Sequence, residues 1–135
     1  FRSKCSITFG LLGGKPYLGL SGNPAAAYVG FEMLARPAIR KMRGFAEGAR
    51  PVQQATLTHG VKKRQHRRFF DRATVLRDPE TGELLVTEAK TQNSVLLGTM
   101  QRANCLLRID EGPCELKAGD AVDVVRVDLP EGAVL

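Results

Sequence analysis

The chain is poor in the residues that bind metals or act as nucleophiles. It has two histidines, His59 and His66, and three cysteines, Cys5, Cys105 and Cys114. The histidines are isolated and the cysteine spacing matches no metal-binding pattern, so neither a zinc site nor a His-based triad is expected. An odd cysteine count also speaks against a disulfide framework. Cys5 and Cys105 lie among apolar residues and read as small core side chains. Only 6% of residues are aromatic, too few for the stacking platforms of single-strand nucleic-acid binders. No apolar run reaches the roughly 18 residues that span a bilayer. The opening Phe1-Arg2-Ser3-Lys4-Cys5 lacks the charged-then-apolar pattern of a secretory signal. A reducing cytoplasm is therefore expected, with no membrane. The initiator Met is missing too, so Phe1 is expected to be the edge of a fragment or of a processed chain.

What is present is a basic, globular composition. Of 135 residues, 43% are hydrophobic and 25% charged, with a net charge of +6 and a pI near 9.6. That length allows one ordinary domain, or a small domain and a piece of another. The charge favours anionic partners: phosphorylated small molecules, nucleic acid or acidic protein surfaces.

The most informative stretch begins at Pro16. A short apolar strand, 16–20, stops at Ser21-Gly22-Asn23-Pro24, where a helix starts. Asn23 suits the N-cap, because its side-chain oxygen can accept a free first-turn N–H. Pro24 suits the first helical position, where a missing donor costs nothing. A strand–turn–helix start of this kind gathers backbone N–H groups at the positive end of a helix, a natural seat for an anion. Equally, many such turns are purely structural.

Upstream, residues 7–20 read as a hairpin around Gly13-Gly14-Lys15-Pro16. Downstream, Ala27, Phe31, Leu34, Ala38 and Met42 recur at helical spacing over 24–42, so that face is built for burial. Pro37 inside this pattern predicts a kink or one unpaired carbonyl. The helix should end at Arg43-Gly44. Residues 44–51 read as a linker. Five strands are then expected, over 52–58, 67–76, 83–88, 104–110 and 121–128, with a short helix or turn over 94–101. Turn compositions lie at 78–82, 111–113 and 117–120. Short strands separated by turns suggest a small barrel or sandwich. Residues 1–47 cannot close a core alone, whereas the remainder can.

Lys62, Lys63, Arg64, His66, Arg67, Arg68 and Arg72 crowd one strand and the loop before it. They read either as a solvated edge or as an anion site, in which an Arg fork holds phosphate. If the strand starts at 66, His66, Arg68, Phe70 and Arg72 share one face, and Arg67, Phe69 and Asp71 the other.

Several blocks together resemble the molybdopterin molybdenumtransferase (MoeA) family, which includes the C-terminal domain of gephyrin. Gly14-Lys15-Pro16, Gly19-Leu20 and Gly22-Asn23-Pro24 resemble its G-K-x-P-V-x-G-L-P-G-N-P signature. Phe31-Glu32 and Arg36-Pro37-Ala38 resemble its F-E-x-F-V-R-P-A helix. His66 to Arg72 is similar to G-R-x-E/D-F-x-R, Gln92-Asn93-Ser94 to Q-G-S, Ala103-Asn104-Cys105-Leu106 to A-N-G/C-L, and Lys117 to Val122 to A-G-E-x-V. The chain departs from the family pattern at Ser21, His66, Phe69 and Asn93.

The resemblance implies a mixed α/β fragment followed by a small, mainly β domain. Residues 1–47 would be the hairpin and long helix that end an α/β molybdopterin-binding domain, and residues 48–135 a C-terminal β-barrel. It further implies that the full-length protein is a homodimer that inserts molybdate into adenylated molybdopterin with Mg2+. Matched residue by residue, the substrate-binding positions would be Ser21, Gly22, Asn23, Pro24, Arg67 and Ser94. The acidic metal ligands would lie upstream, so this chain alone is expected to be inactive. The alternative is a stand-alone barrel that binds an anion or a partner protein without catalysis. Nucleic-acid binding through the basic strand ranks third.

Overall fold

The computed structural model describes residues 7–90, 92, 97–130 and 133. The described residues fall into two compact units, 7–50 with Leu97 in the first and the others, from Pro51 onward, in the second.

The first unit opens with a hairpin, β1 (Thr8–Leu12) and β2 (Lys15–Gly19), in register Leu12↔Lys15. Gly13 and Gly14 both take positive φ, 56° and 75°. That is the requirement of a type I′ turn, whose twist matches the strands it joins. Helix α1 (Pro24–Gly30) follows, capped by Asn23, whose Oδ1 accepts from Ala25 N at 3.1 Å and Ala26 N at 3.2 Å. The helix runs on through a π-helical turn (Phe31–Ala35) into α2 (Arg36–Met42). In the π turn, Arg36 N–H donates to Phe31 O. This is how the chain accommodates Pro37: the pyrrolidine has no N–H to donate and would collide with a carbonyl in an ordinary turn, and a widened turn just before it makes room. Helix α2 ends in a Schellman cap, with Gly44 N donating to Lys41 O, Phe45 N to Arg40 O, and Gly44 at φ 86°.

Two expectations for this unit need correction. The face predicted for burial is open in this chain: Phe31, Leu34, Ala38 and Met42 are all exposed. The buried face instead carries Glu32, Arg36 and Arg40, because residues 45–50 fold back along the helix. This segment is a strap more than a linker. Arg40 Nε donates to Glu47 O at 2.9 Å, and its guanidinium sits 4.2 Å from the Phe45 ring centroid. Arg50 grips Glu32 with two bonds, 2.7 and 3.2 Å. Gly48 lies so close to Pro37 that a Cβ there would be 3.1 Å from its carbonyl oxygen. Burial raises the Tyr28 pKa first, and the Glu32 carboxylate adds to it.

The second unit is a closed barrel. Its strands are β3 (Val52–Leu57), β5 (Phe69–Arg77), β6 (Leu84–Glu88), β7 (Cys105–Ile109) and β9 (Ala121–Arg126), in the order β3-β6-β5-β7-β9 with β9 returning to β3. Only β3 and β6 run parallel; every other pairing is antiparallel. Alternate residues point inward, as the pleat requires: Ala55 and Leu57, Ala73 and Val75, Cys105, Leu107 and Ile109, Val122 and Val124. A three-residue pair that the sequence pattern did not suggest, β4 (Val61–Lys63) with β8 (Cys114–Leu116), lies outside the ring. The second expected strand begins at Phe69, so His66, Arg67 and Arg68 lie in a loop and the strand-face alternation does not extend to them. The short helix α3 (Leu97–Arg102) overlaps the expected helix; residues 94–96 lie outside the described set.

Candidate functional site

Strand β5 extends past both of its partners, and two amide side chains complete its edges. β6 pairs with Ala73–Arg77 and β7 with Phe69–Ala73. Beyond β6, Gln92 takes over: its Oε1 accepts from Arg72 N at 3.0 Å and its Nε2 donates to Arg72 O at 2.9 Å. Beyond β7, Asn104 does the same for Val75, with Oδ1 accepting from Val75 N and Nδ2 donating to Val75 O, both at 2.8 Å. Each amide imitates a neighbouring strand's N–H and C=O. Arg72, 3% exposed, is thereby fixed in the barrel wall. Burial lowers its pKa, an effect partly opposed by the Asp71 carboxylate.

The loop 64–68 carries most of the basic cluster, and it is tethered from beneath. Lys63, 1% exposed at the end of β4, donates through Nζ to Arg67 O at 2.8 Å and to Asp110 O, and lies 5.2 Å from the Phe69 ring centroid. Gly112 N donates to His66 O at 3.0 Å. The cations then divide by partner. Lys62 pairs with Glu115 at 3.6 Å. Arg68 meets Asp110 at 3.4 Å and Glu111 at 3.7 Å, while Arg108 takes Asp110 and Asp123. Arg64, His66 and Arg67 are exposed and have no carboxylate partner among the described residues. Arg64 and Arg67 are the cations of this loop left to offer a ligand, with His66 beside them.

A second feature was not foreseen. The C-terminal ends of the parallel pair β3 and β6 open a cleft of about 460 Å³ lined by Thr58, His59, Thr87, Glu88, Lys90 and Gln92. The Thr58 and Thr87 hydroxyl oxygens are 2.7 Å apart. His59 Nδ1 is 3.3 Å from Thr58 Oγ1, and His59 Nε2 is 3.7 Å from Glu88 Oε2. The order Glu–His–Thr suggests a nucleophile with its base. However, Thr58 Oγ1 also donates to Val86 O at 3.3 Å, and 3.7 Å is too long for a carboxylate–imidazole hydrogen bond. The cleft offers polar recognition groups without an activated hydroxyl. Its signal in the sequence was a Thr-His pair directly after a strand, which is weak alone.

The turn at 21–24 belongs to the first unit. Ser21 Oγ accepts from Asn23 N at 3.2 Å. The first-turn donors are all accounted for, since Pro24 has none, Ala25 and Ala26 bond Asn23 Oδ1, and Ala27 N donates to Asn23 O at 2.8 Å. The fold itself demands no glycine at 22: its φ is not positive, and an added Cβ would meet no atom within 4 Å. Ser94 and Asn93 lie outside the described residues. No three His, Cys, Asp or Glu side chains that could hold a metal ion gather among the described residues. No described helix is long and apolar enough to cross a membrane.

Comparison with known proteins gives this geometry a context. The profile of the family described as the MoeA C-terminal region (domain IV) matches residues 54–127. Molybdopterin molybdenumtransferase 1 of Mycobacterium tuberculosis is 35% identical over 121 residues, 86% of this chain and 28% of that protein. The molybdopterin molybdenumtransferase of Staphylococcus aureus is 30% identical over 118 residues, 87% of this chain and 28% of its own length. The molybdopterin biosynthesis MoeA protein from Pyrococcus horikoshii superposes with a TM-score of 0.67 at 26% identity, over 89% of this chain and 28% of that one. The chain therefore spans about 28% of the length of these relatives. The matched stretch runs from within β3 to just past β9, taking in all of the ring but the first two residues of β3, together with the tethered basic loop; on that ground the chain belongs to the MoeA C-terminal (domain IV) family.

Proposed function

We propose that this chain is the C-terminal portion of a molybdopterin molybdenumtransferase, a protein of molybdenum cofactor biosynthesis that inserts molybdate into adenylated molybdopterin. In this reading residues 1–47 end the α/β domain that binds the molybdopterin nucleotide, and residues 48–135 form the barrel domain. The observation that carries it is the tethered loop in a barrel of this family, whose Arg64, His66 and Arg67 have no carboxylate partner among the described residues. Molybdate and the nucleotide phosphates are anions, and an Arg fork can hold such oxygens by paired charge-assisted bonds. Arg67 binds and orients an anionic group of the substrate, and Ser94 and the Ser21-Gly22-Asn23-Pro24 turn are further substrate-binding positions. The protein acts as a cytoplasmic homodimer with Mg2+, whose ligands lie outside this chain. Alone, the 135 residues are catalytically inactive.

The test is Arg67→Ala in the full-length protein. Loss of a charge-assisted bond to a bound anion is expected to weaken nucleotide binding or turnover about tenfold to a hundredfold. Unchanged affinity and turnover would remove Arg67 from the site. The second reading, a stand-alone binding module, is favoured by one observation: the barrel closes around its own core. It requires the isolated chain to bind an anion or a partner protein with no added polypeptide.

A further inference from the structure

We infer that Lys63 is a positioning residue for the anion-binding loop, acting from below without touching the ligand. The inference rests on the reading of Arg67 as an anion-binding group. A buried ammonium is costly unless hydrogen bonds replace its water, and an apolar side chain of similar volume is often at least as stabilising in such a place. At this position the ammonium draws two carbonyls, those of Arg67 just before β5 and Asp110 just after β7, at one end of the β5–β7 pairing onto one atom. An apolar side chain cannot do that. The carbonyl of Arg67 is held by Lys63 and that of His66 by Gly112 N. The backbone carrying the free cations is thus fixed, while the Arg67 side chain stays exposed and unpaired among the described residues. Asp110 serves the same end, since its carboxylate engages Arg68 and Arg108 and so takes the nearby negative charge away from Arg67. Binding groups lose effectiveness steeply with small displacements, so a support of this kind sets affinity.

The experiment follows backbone amide NMR shifts of the full-length protein during titration with inorganic molybdate at fixed ionic strength, well below the melting temperature. Wild type, Arg67→Ala, Lys63→Met and Lys63→Arg are compared. Expected are saturable shifts at 63–69 in wild type, their loss in Arg67→Ala, and affinity weaker by about tenfold or more in Lys63→Met. Lys63→Arg keeps donors for both carbonyls and is expected to bind more tightly than Lys63→Met. Amides of the barrel strands away from the loop should keep their wild-type positions in Lys63→Met, which a merely unstable barrel would not do. If wild type shows no saturable shifts, or Arg67→Ala binds as wild type does, the anion-site reading fails and takes this inference with it. If Arg67→Ala loses binding while Lys63→Met retains it, the site stands and the positioning role is overturned. Failure of both Lys63 variants to fold would make Lys63 a support of the barrel and also overturn the inference.

Discussion

Cys105 shows how much one position is governed by its surroundings. It is fully buried on β7, and desolvation is the main cause that pushes its thiol up from 9.0 to about 12. Asp128 acts in the same direction, while Arg126 and a hydrogen bond from the Val75 backbone oppose it. The folded pKa lies above the unfolded one. The neutral thiol's contribution to stability is therefore complete below about pH 9 and is lost as pH rises through the folded value. Below pH 9 the native thiol therefore holds far less thiolate than the unfolded chain. Iodoacetamide at pH 8.5 is expected to modify the Cys105 peptide only when denaturant is present, as read by mass spectrometry. Equal labelling in native buffer would show that the thiol is not shut in the barrel. The core role of Cys105 was legible from its apolar neighbours, and so was the Asn23 cap, because both depend on adjacent residues. Lys63 was not: nothing beside it in sequence reveals that its partners are carbonyls at 67 and 110.

At the scale of elements, the amides that finish β5 make a sharper case. Gln92 and Asn104 stood out in the sequence only as parts of motifs. Their task depends on where β6 and β7 stop, a tertiary fact that local pattern does not encode. Removing Asn104 leaves the N–H and C=O of Val75 without their partners, in a strand whose Val75 side chain is buried. Asn104→Ala is therefore expected to lower unfolding free energy by about 2 kcal/mol, measured by urea denaturation. A change within about 0.5 kcal/mol, the range of an ordinary surface substitution, would mean that water replaces the amide. The five long strands were readable because alternation and turn residues agree over several residues. The β4–β8 pair was missed because three residues are too few to show a period, and Lys62-Lys63 reads as a solvated run. The burial face of the helix was misjudged for a related reason. Glu32, Arg36 and Arg40 look like surface residues until the strap 45–50 closes over them with Arg50 and a backbone carbonyl.

Across the whole molecule, the two units differ in how they dispose of apolar surface. The barrel has no free edge in its main sheet, and the inward residues of its strands fill its interior. The first unit leaves Phe9, Leu11, Leu12, Leu34 and Met42 exposed, and its described sheet is a two-stranded hairpin, which is marginal in water. A fragment of residues 48–135 is therefore expected to unfold in a single cooperative thermal transition and to give dispersed amide resonances. A fragment of residues 1–47 is expected to do neither. The contrast also separates the functional readings. A binding module needs only the barrel, so fragment 48–135 would hold its ligand unaided. The transferase reading needs surfaces from both parts and from chain beyond them, so the same fragment would be folded and yet weak for the nucleotide. If fragment 48–135 fails to fold, the barrel depends on residues outside it, and the stand-alone module is excluded with it.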